Sequence, residues 1–150
     1  MSSRKHIMPS SRPNPRRGVT VLEAALLLPV ILGLVFGTIE FAYVFYVKQT
    51  LQSASREGAR RGVIAGADNA SITAAVDAAM ESGGLGDSTY TINIVNAATG
   101  TSADASTIAP GTGVRVEVSA PWTQFSVFLS GFGSWTRGEL RSSTVMRRES

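Results

Sequence analysis

Glu23 is the side chain whose position calls for chemistry. It is the fifth residue of an apolar run that opens at Val19, directly behind the basic junction Arg16–Arg17–Gly18. A carboxylate in the apolar part of a membrane helix costs about 2.5–3.5 kcal/mol on insertion scales, so a partner for it is expected. The second acid of the run, Glu40, does not complete a paired site. It stands 17 residues later, which on a helix is ~25 Å along the axis and about 100° round it. Other reactive side chains are scarce. There is no cysteine, and the only histidine, His6, lies in the basic tail. Thiolate metal sites, disulfides, thiol nucleophiles and His-based triads are thereby excluded. No catalytic, cofactor-binding or metal-ligating set is expected, and the chain does not read as an enzyme.

The elements that must position Glu23 follow from charge and hydropathy. The net charge is +3, but residues 1–17 hold Arg4, Lys5, Arg12, Arg16 and Arg17 and no acid, whereas the rest carries nine Lys and Arg against eleven Asp and Glu. The pI near 9.8 therefore belongs to the tail, and no nucleic-acid partner is expected. Pro9, Pro13 and Pro15 disfavour a helix, so residues 1–18 read as a disordered basic leader.

From Val19 to Val47 the only charges are Glu23 and Glu40. As a helix this stretch would span ~43 Å, against a hydrocarbon core of about 30 Å. It reads as a transmembrane segment with an overhang, part of a helix over about 20–65 that ends by about residue 66. The run is too long for a cleaved secretory signal, whose apolar region is about 7–15 residues. It is also too apolar all round to be wrapped by the small remainder of the chain. The basic leader places the N-terminus in the cytoplasm and residues 67–150 outside, in a single pass of the cytoplasmic membrane.

Within the long helix, Leu51, Ser55, Gly58, Gly62 and Ala65 recur at spacings of three and four. Such a small-residue seam suits close packing, and the glycines weaken the helix unless something packs there. Glu57 and Arg61 are spaced for an i,i+4 ion pair. Pro29 removes one backbone hydrogen bond inside the span, and Gly33 and Gly37 form a G-x-x-x-G able to seat another helix. Glu40, near the outer boundary, reads equally as a surface carboxylate reaching the headgroups or as a subunit contact.

A second helix is predicted over about 70–82, with Ile72, Val76, Ala79 and Met80 on one face and Gly83–Gly86 ending it in left-handed conformations. Beyond it the period changes to two, predicting strands at 89–96, 113–120 and 137–147. The polar loop 96–113 is too poor in large apolar residues to make a core. Trp122, Phe125, Phe128, Phe132 and Trp135 read as core aromatics. The fold class is α+β, helices on one face of a small antiparallel sheet.

The stretch Gly18-Val-Thr-Val-Leu-Glu23, behind basic residues and ahead of a membrane span, resembles the class III signal of type IV prepilins and pseudopilins. Prepilin peptidase, a membrane-embedded enzyme, cuts such signals after the glycine, which implies a cleavage junction between Gly18 and Val19. Glu23 then becomes the fifth residue of the mature protein, ~6 Å along the helix from the new α-amino group. It could pair with that group on its own chain or on a neighbour's, as an assembly carboxylate. The alternative is an interfacial carboxylate that reaches the headgroups.

More narrowly, Arg16–Gly62 resembles the TadE-like family, minor pseudopilins of tight-adherence (Tad/Flp, type IVb) pilus systems. The residues that carry the likeness are the "RRG" junction, "VLEAALLLPV" with Glu23 and Pro29, "GTIEFAYVFYV" with Glu40, and the closing "SREGARRG" around Glu57–Arg60. A weaker likeness covers "SAPWTQFSVFLSGFGSWTRGELRSSTVMR". The resemblance implies processing by the prepilin peptidase and partnership with other pilus subunits or pseudopilins and the inner-membrane assembly platform. It also implies support for an adhesive pilus or related secretion machinery, with incorporation in the surface pilus left open. Several relatives carry a disulfide, which this chain cannot form. The competing function is an unprocessed single-pass envelope protein whose exported domain binds a partner.

Overall fold

The computed structural model describes residues 15–125 and 138–149, with side chains from Val19 onward. Helix α1 runs Pro15–Gly62 and α2 runs Asn69–Ser82; the strands are β1 Thr91–Asn96, β2 Gly113–Pro121 and β3 Glu139–Arg147. The α+β class with one long apolar helix, one short helix and three strands is as the sequence indicates.

The bounds of α1 differ from the expectation at both ends. It starts at Pro15, inside the stretch read as a disordered leader, because proline is well suited to a first helical turn, where its missing N–H bonds nothing. It stops at Gly62, and residues 63–66 form turns, with Gly66 at φ 78°. Pro29 lies within the helix without ending it.

Two compact units divide the chain at Phe36/Gly37. In the described part of the first, every residue from Val19 to Phe36 is exposed. The second, Gly37–Ser150, contains the core. It includes the second half of α1, part of which the sequence reading assigned to the span. Along α1 the buried positions are Glu40, Val44, Val47, Thr50, Leu51, Ala54, Ser55, Gly58, Ala59 and Gly62. Steps of three and four put these on one face, and that face is the spine of the domain.

The sheet order is β1-β2-β3, antiparallel throughout. Register puts Ile94 opposite Val116 and Val116 opposite Thr144, so Ile94, Val114, Val116, Val118, Ala120 and Leu140 line the inner face. Ile72, Val76 and Met80 of α2, together with Leu51 and Val47 of α1, are fully buried against them in one cluster. Each fully buried aliphatic side chain of this kind contributes about 1.5–3 kcal/mol relative to exposure. The 96–113 segment makes no core of its own but contributes to this one. It adds Ala105 and Ile108 to the core, because a short 3-10 turn at Ala105–Thr107 folds them inward.

Candidate functional site

The predicted junction lies within α1. Gly18 and Val19 fall in its opening turns, so a peptidase acting there meets helical backbone. Glu23 is exposed on the apolar helix and, among the described residues, makes no ion pair. Gly33 and Gly37 have open space around them: a β-carbon at either would meet nothing within 4 Å. Glu40 belongs to the second unit, where it is only 6% exposed. It is a buried carboxylate of that unit, not a surface one.

Gly58 and Gly62 are brought into the tightest part of the core. A β-carbon on Gly58 would stand 2.6 Å from Val76 Cγ2 and 3.1 Å from Val116 Cγ1, and one on Gly62 would stand 3.0 Å from Ile72 Cδ1 and 3.1 Å from Val114 Cγ1. The seam therefore serves packing within the chain, where α1 lies against α2 and β2 at once. Ser55, fully buried in the same seam, bonds Thr144 Oγ1 at 2.9 Å and Ser142 Oγ at 3.3 Å. Ala65, by contrast, is exposed beyond the helix end. The expected Glu57–Arg61 pair is replaced by Arg60 Nε to Glu57 Oε2 at 2.9 Å, one position nearer.

Several contacts fix the domain around α1 and were not foreseen. Asp68 caps α2: its carboxylate accepts from the Ser71 backbone N–H at 2.9 Å, and Ser71 Oγ accepts from the Asp68 N–H. The Ser71 N–H holds the Asp68 carboxyl below its ordinary range, with the Ser71 hydroxyl acting in the same direction. A reciprocal cap of this kind is legible as Asp-x-x-Ser before an apolar period. At the other end of α2, Gly83 packs on Thr50, and the Tyr46 hydroxyl donates to the Gly83 carbonyl at 2.6 Å. Of the terminal glycines only Gly84 adopts a positive φ, 66°. Arg148 donates to the carbonyls of Ala105 and Ile108, pinning the loop. Burial pushes the Tyr90 phenol up to about 12, helped by its 2.6 Å hydrogen bond to Asp77.

Among the described residues no group of three or more His, Asp or Glu could hold a metal ion. Of the core aromatics, Phe125 is buried and Trp122 packs against the cluster; Phe128, Phe132 and Trp135 lie outside the described residues. Among the described residues one helix is long and apolar enough to cross a membrane, its apolar window wholly exposed.

Residues 18–60 match the family model described as TadE-like protein. That segment opens at Gly18 and closes two residues before the end of α1, so the likeness to the family lies in this helix. No curated protein and no solved structure matches the chain.

Proposed function

We propose that the protein is a minor pseudopilin, cut between Gly18 and Val19 by a prepilin peptidase and then assembled through α1. In this role it supports a Tad/Flp-type adhesive pilus or a related secretion machinery. The observation that carries the reading is the TadE-like match, which begins at Gly18 and spans the helix to residue 60. The domain core supplies further support. Because one face of α1 is buried from Glu40 onward, the stretch exposed all round is Val19–Ile39. At about 1.5 Å per residue this is ~32 Å, close to the thickness of a bilayer's hydrocarbon core. The membrane span is thus Val19–Ile39, and the exported domain includes the rest of the helix.

Glu23 then lies near the cytoplasmic end of the span. Cleavage creates an α-amino group on Val19 that can neutralise it, on its own chain or a neighbour's, and this pairing drives docking among pilus subunits at the inner-membrane platform. The deciding experiment is the mature N-terminus, read by mass spectrometry of the membrane fraction. A chain starting at Val19 is expected. Retention of Arg16 and Arg17 in cells that express the peptidase overturns processing and leaves an unprocessed envelope protein.

A further inference from the structure

Between Glu40 and Lys48, α1 changes from a helix exposed all round to one covered on one side. Glu40, Val44 and Val47 are buried there, leaving Phe41, Ala42, Tyr43, Phe45 and Tyr46 facing outward. All but Ala42 are aromatic. They are 64%, 42%, 53% and 50% exposed, in order Phe41, Tyr43, Phe45, Tyr46. At 100° per residue the outward positions sweep an arc of about 200°.

We infer that these four rings form an interfacial collar that seats the exported domain in the headgroup layer of the outer leaflet. This rests on the reading of Val19–Ile39 as the membrane span, and it adds a surface and a partner to that reading. Three observations favour lipid as the occupant. The first is continuity: the collar follows the exposed apolar stretch in the same helix without a break. The second is depth. With Ile39 at the hydrocarbon edge, Phe41 to Tyr46 lie ~3–10 Å beyond it, within the headgroup layer, where amphipathic rings are favoured. The third is the width of the arc. One neighbouring helix covers a narrow stripe, whereas a fluid interface covers all of it.

Two of the rings, Tyr43 and Tyr46, are also tied to the domain. Phe41 and Phe45 pack edge to face with centroids 4.8 Å apart, Tyr43 stacks on Tyr46 and lies 6.3 Å from Phe125, and Tyr46 holds the carbonyl of Gly83. The collar therefore fixes the level at which the end of α2 and the Trp122–Phe125 turn stand. Lys48 and Gln49, both exposed, mark its outer limit.

The absence of cysteine makes the test direct. Single cysteines at Leu32, Ala42 and Gln52 of the full chain are spin-labelled in phosphatidylethanolamine–phosphatidylglycerol vesicles, and depth is read from oxygen against nickel-chelate accessibility. Leu32 is expected in hydrocarbon, Ala42 at the interface and Gln52 in water. Phe41→Ser with Phe45→Ser should move the Ala42 label outward by about half a helical turn or more, ~3 Å, while Phe41→Trp with Phe45→Trp leaves it in place. Those two rings contact solvent and each other, so domain protease resistance should be unchanged. An Ala42 label in bulk water with Leu32 still buried overturns the collar alone. A Leu32 label in water overturns the membrane reading with it. An Ala42 depth that changes with the protein-to-lipid ratio assigns the rings to contacts between copies, and likewise overturns the proposal.

Discussion

Gly58 lies so close to Val76 that a single added carbon would stand 2.6 Å from a valine methyl. The same carbon would also crowd Val116 on the sheet, so neither neighbour can give way without disturbing the other. Gly58→Ala should therefore destabilise the domain by about 1–3 kcal/mol, the usual cost of overpacking. Gly33→Ala, in open space, should leave domain unfolding unchanged. Thermal melts of the two full-length variants in one detergent check the contrast. Equal melting temperatures would show that the seam is looser than described.

Glu23→Gln separates processing from assembly. The amide keeps the shape of the acid but not its charge, and a charge pair in a low-dielectric setting loses its attraction when one partner is neutralised. Cleavage and insertion should be normal, while crosslinking to other pilus subunits and surface attachment fall. Glu23→Asp should be intermediate. The mature-to-precursor ratio and the crosslinked fraction, measured together, decide. Wild-type crosslinking in Glu23→Gln leaves Glu23 as an interfacial carboxylate.

Ser55 joins α1 to β3 through hydroxyl bonds to Thr144 and Ser142. Ser55→Ala should cost about 0.5–1.5 kcal/mol, the net worth of an ordinary hydrogen bond, since the half-buried Thr144 and Ser142 hydroxyls would lose a partner. Denaturant unfolding of the full chain in mild detergent measures it, and a change within error would mean that the partners re-pair.

Two groups give the domain opposite pH limits. Asp68 is held below its ordinary value of 3.8 in the folded state. Its contribution is complete above that value and fades as pH falls through the lower folded one. Tyr90 is raised from 10.0 to about 12, so its contribution is complete below pH 10 and fades as pH rises through about 12. Asp68→Ala should flatten the acid side of a stability–pH profile, and Tyr90→Phe the alkaline side. Either profile unchanged from wild type would refute that assignment.

The elements were legible because their signals are strong: an apolar run with two charges, a 3.6-period face on α2, and alternation in β2. Gly58 and Gly62 were legible as a close-packing seam but not their partners, since spacing along one helix does not say what lies across from it. The contribution of the loop 96–113 to the core was not legible, because composition weighs Ala105 and Ile108 against many polar neighbours. The 3-10 turn that folds them inward is held by Arg148, 43 residues away from Ala105, and no local pattern carries that contact. The burial of Glu40 was illegible for a similar reason. Its surroundings are set by tertiary contacts, while its sequence neighbourhood is that of a membrane helix. The junction at Gly18 rests on the resemblance of Gly18–Glu23 to a prepilin signal, and its test remains chemical.

The bond between Ser55 and Thr144 joins positions 89 residues apart, and β3 is the last strand among the described residues. On the proposed orientation, α1 enters the bilayer first, and its buried face is covered in steps, by α2 and β2 before β3. The contact with β3 would then form last, slowed by the long loop that must be drawn shut. In that interval Ser55 lacks its two hydroxyl partners on β3 while the glycine seam is already packed. A chain truncated before Glu139 would keep both helices and the β1-β2 pair but leave the second edge of β2 open, a latch without its catch.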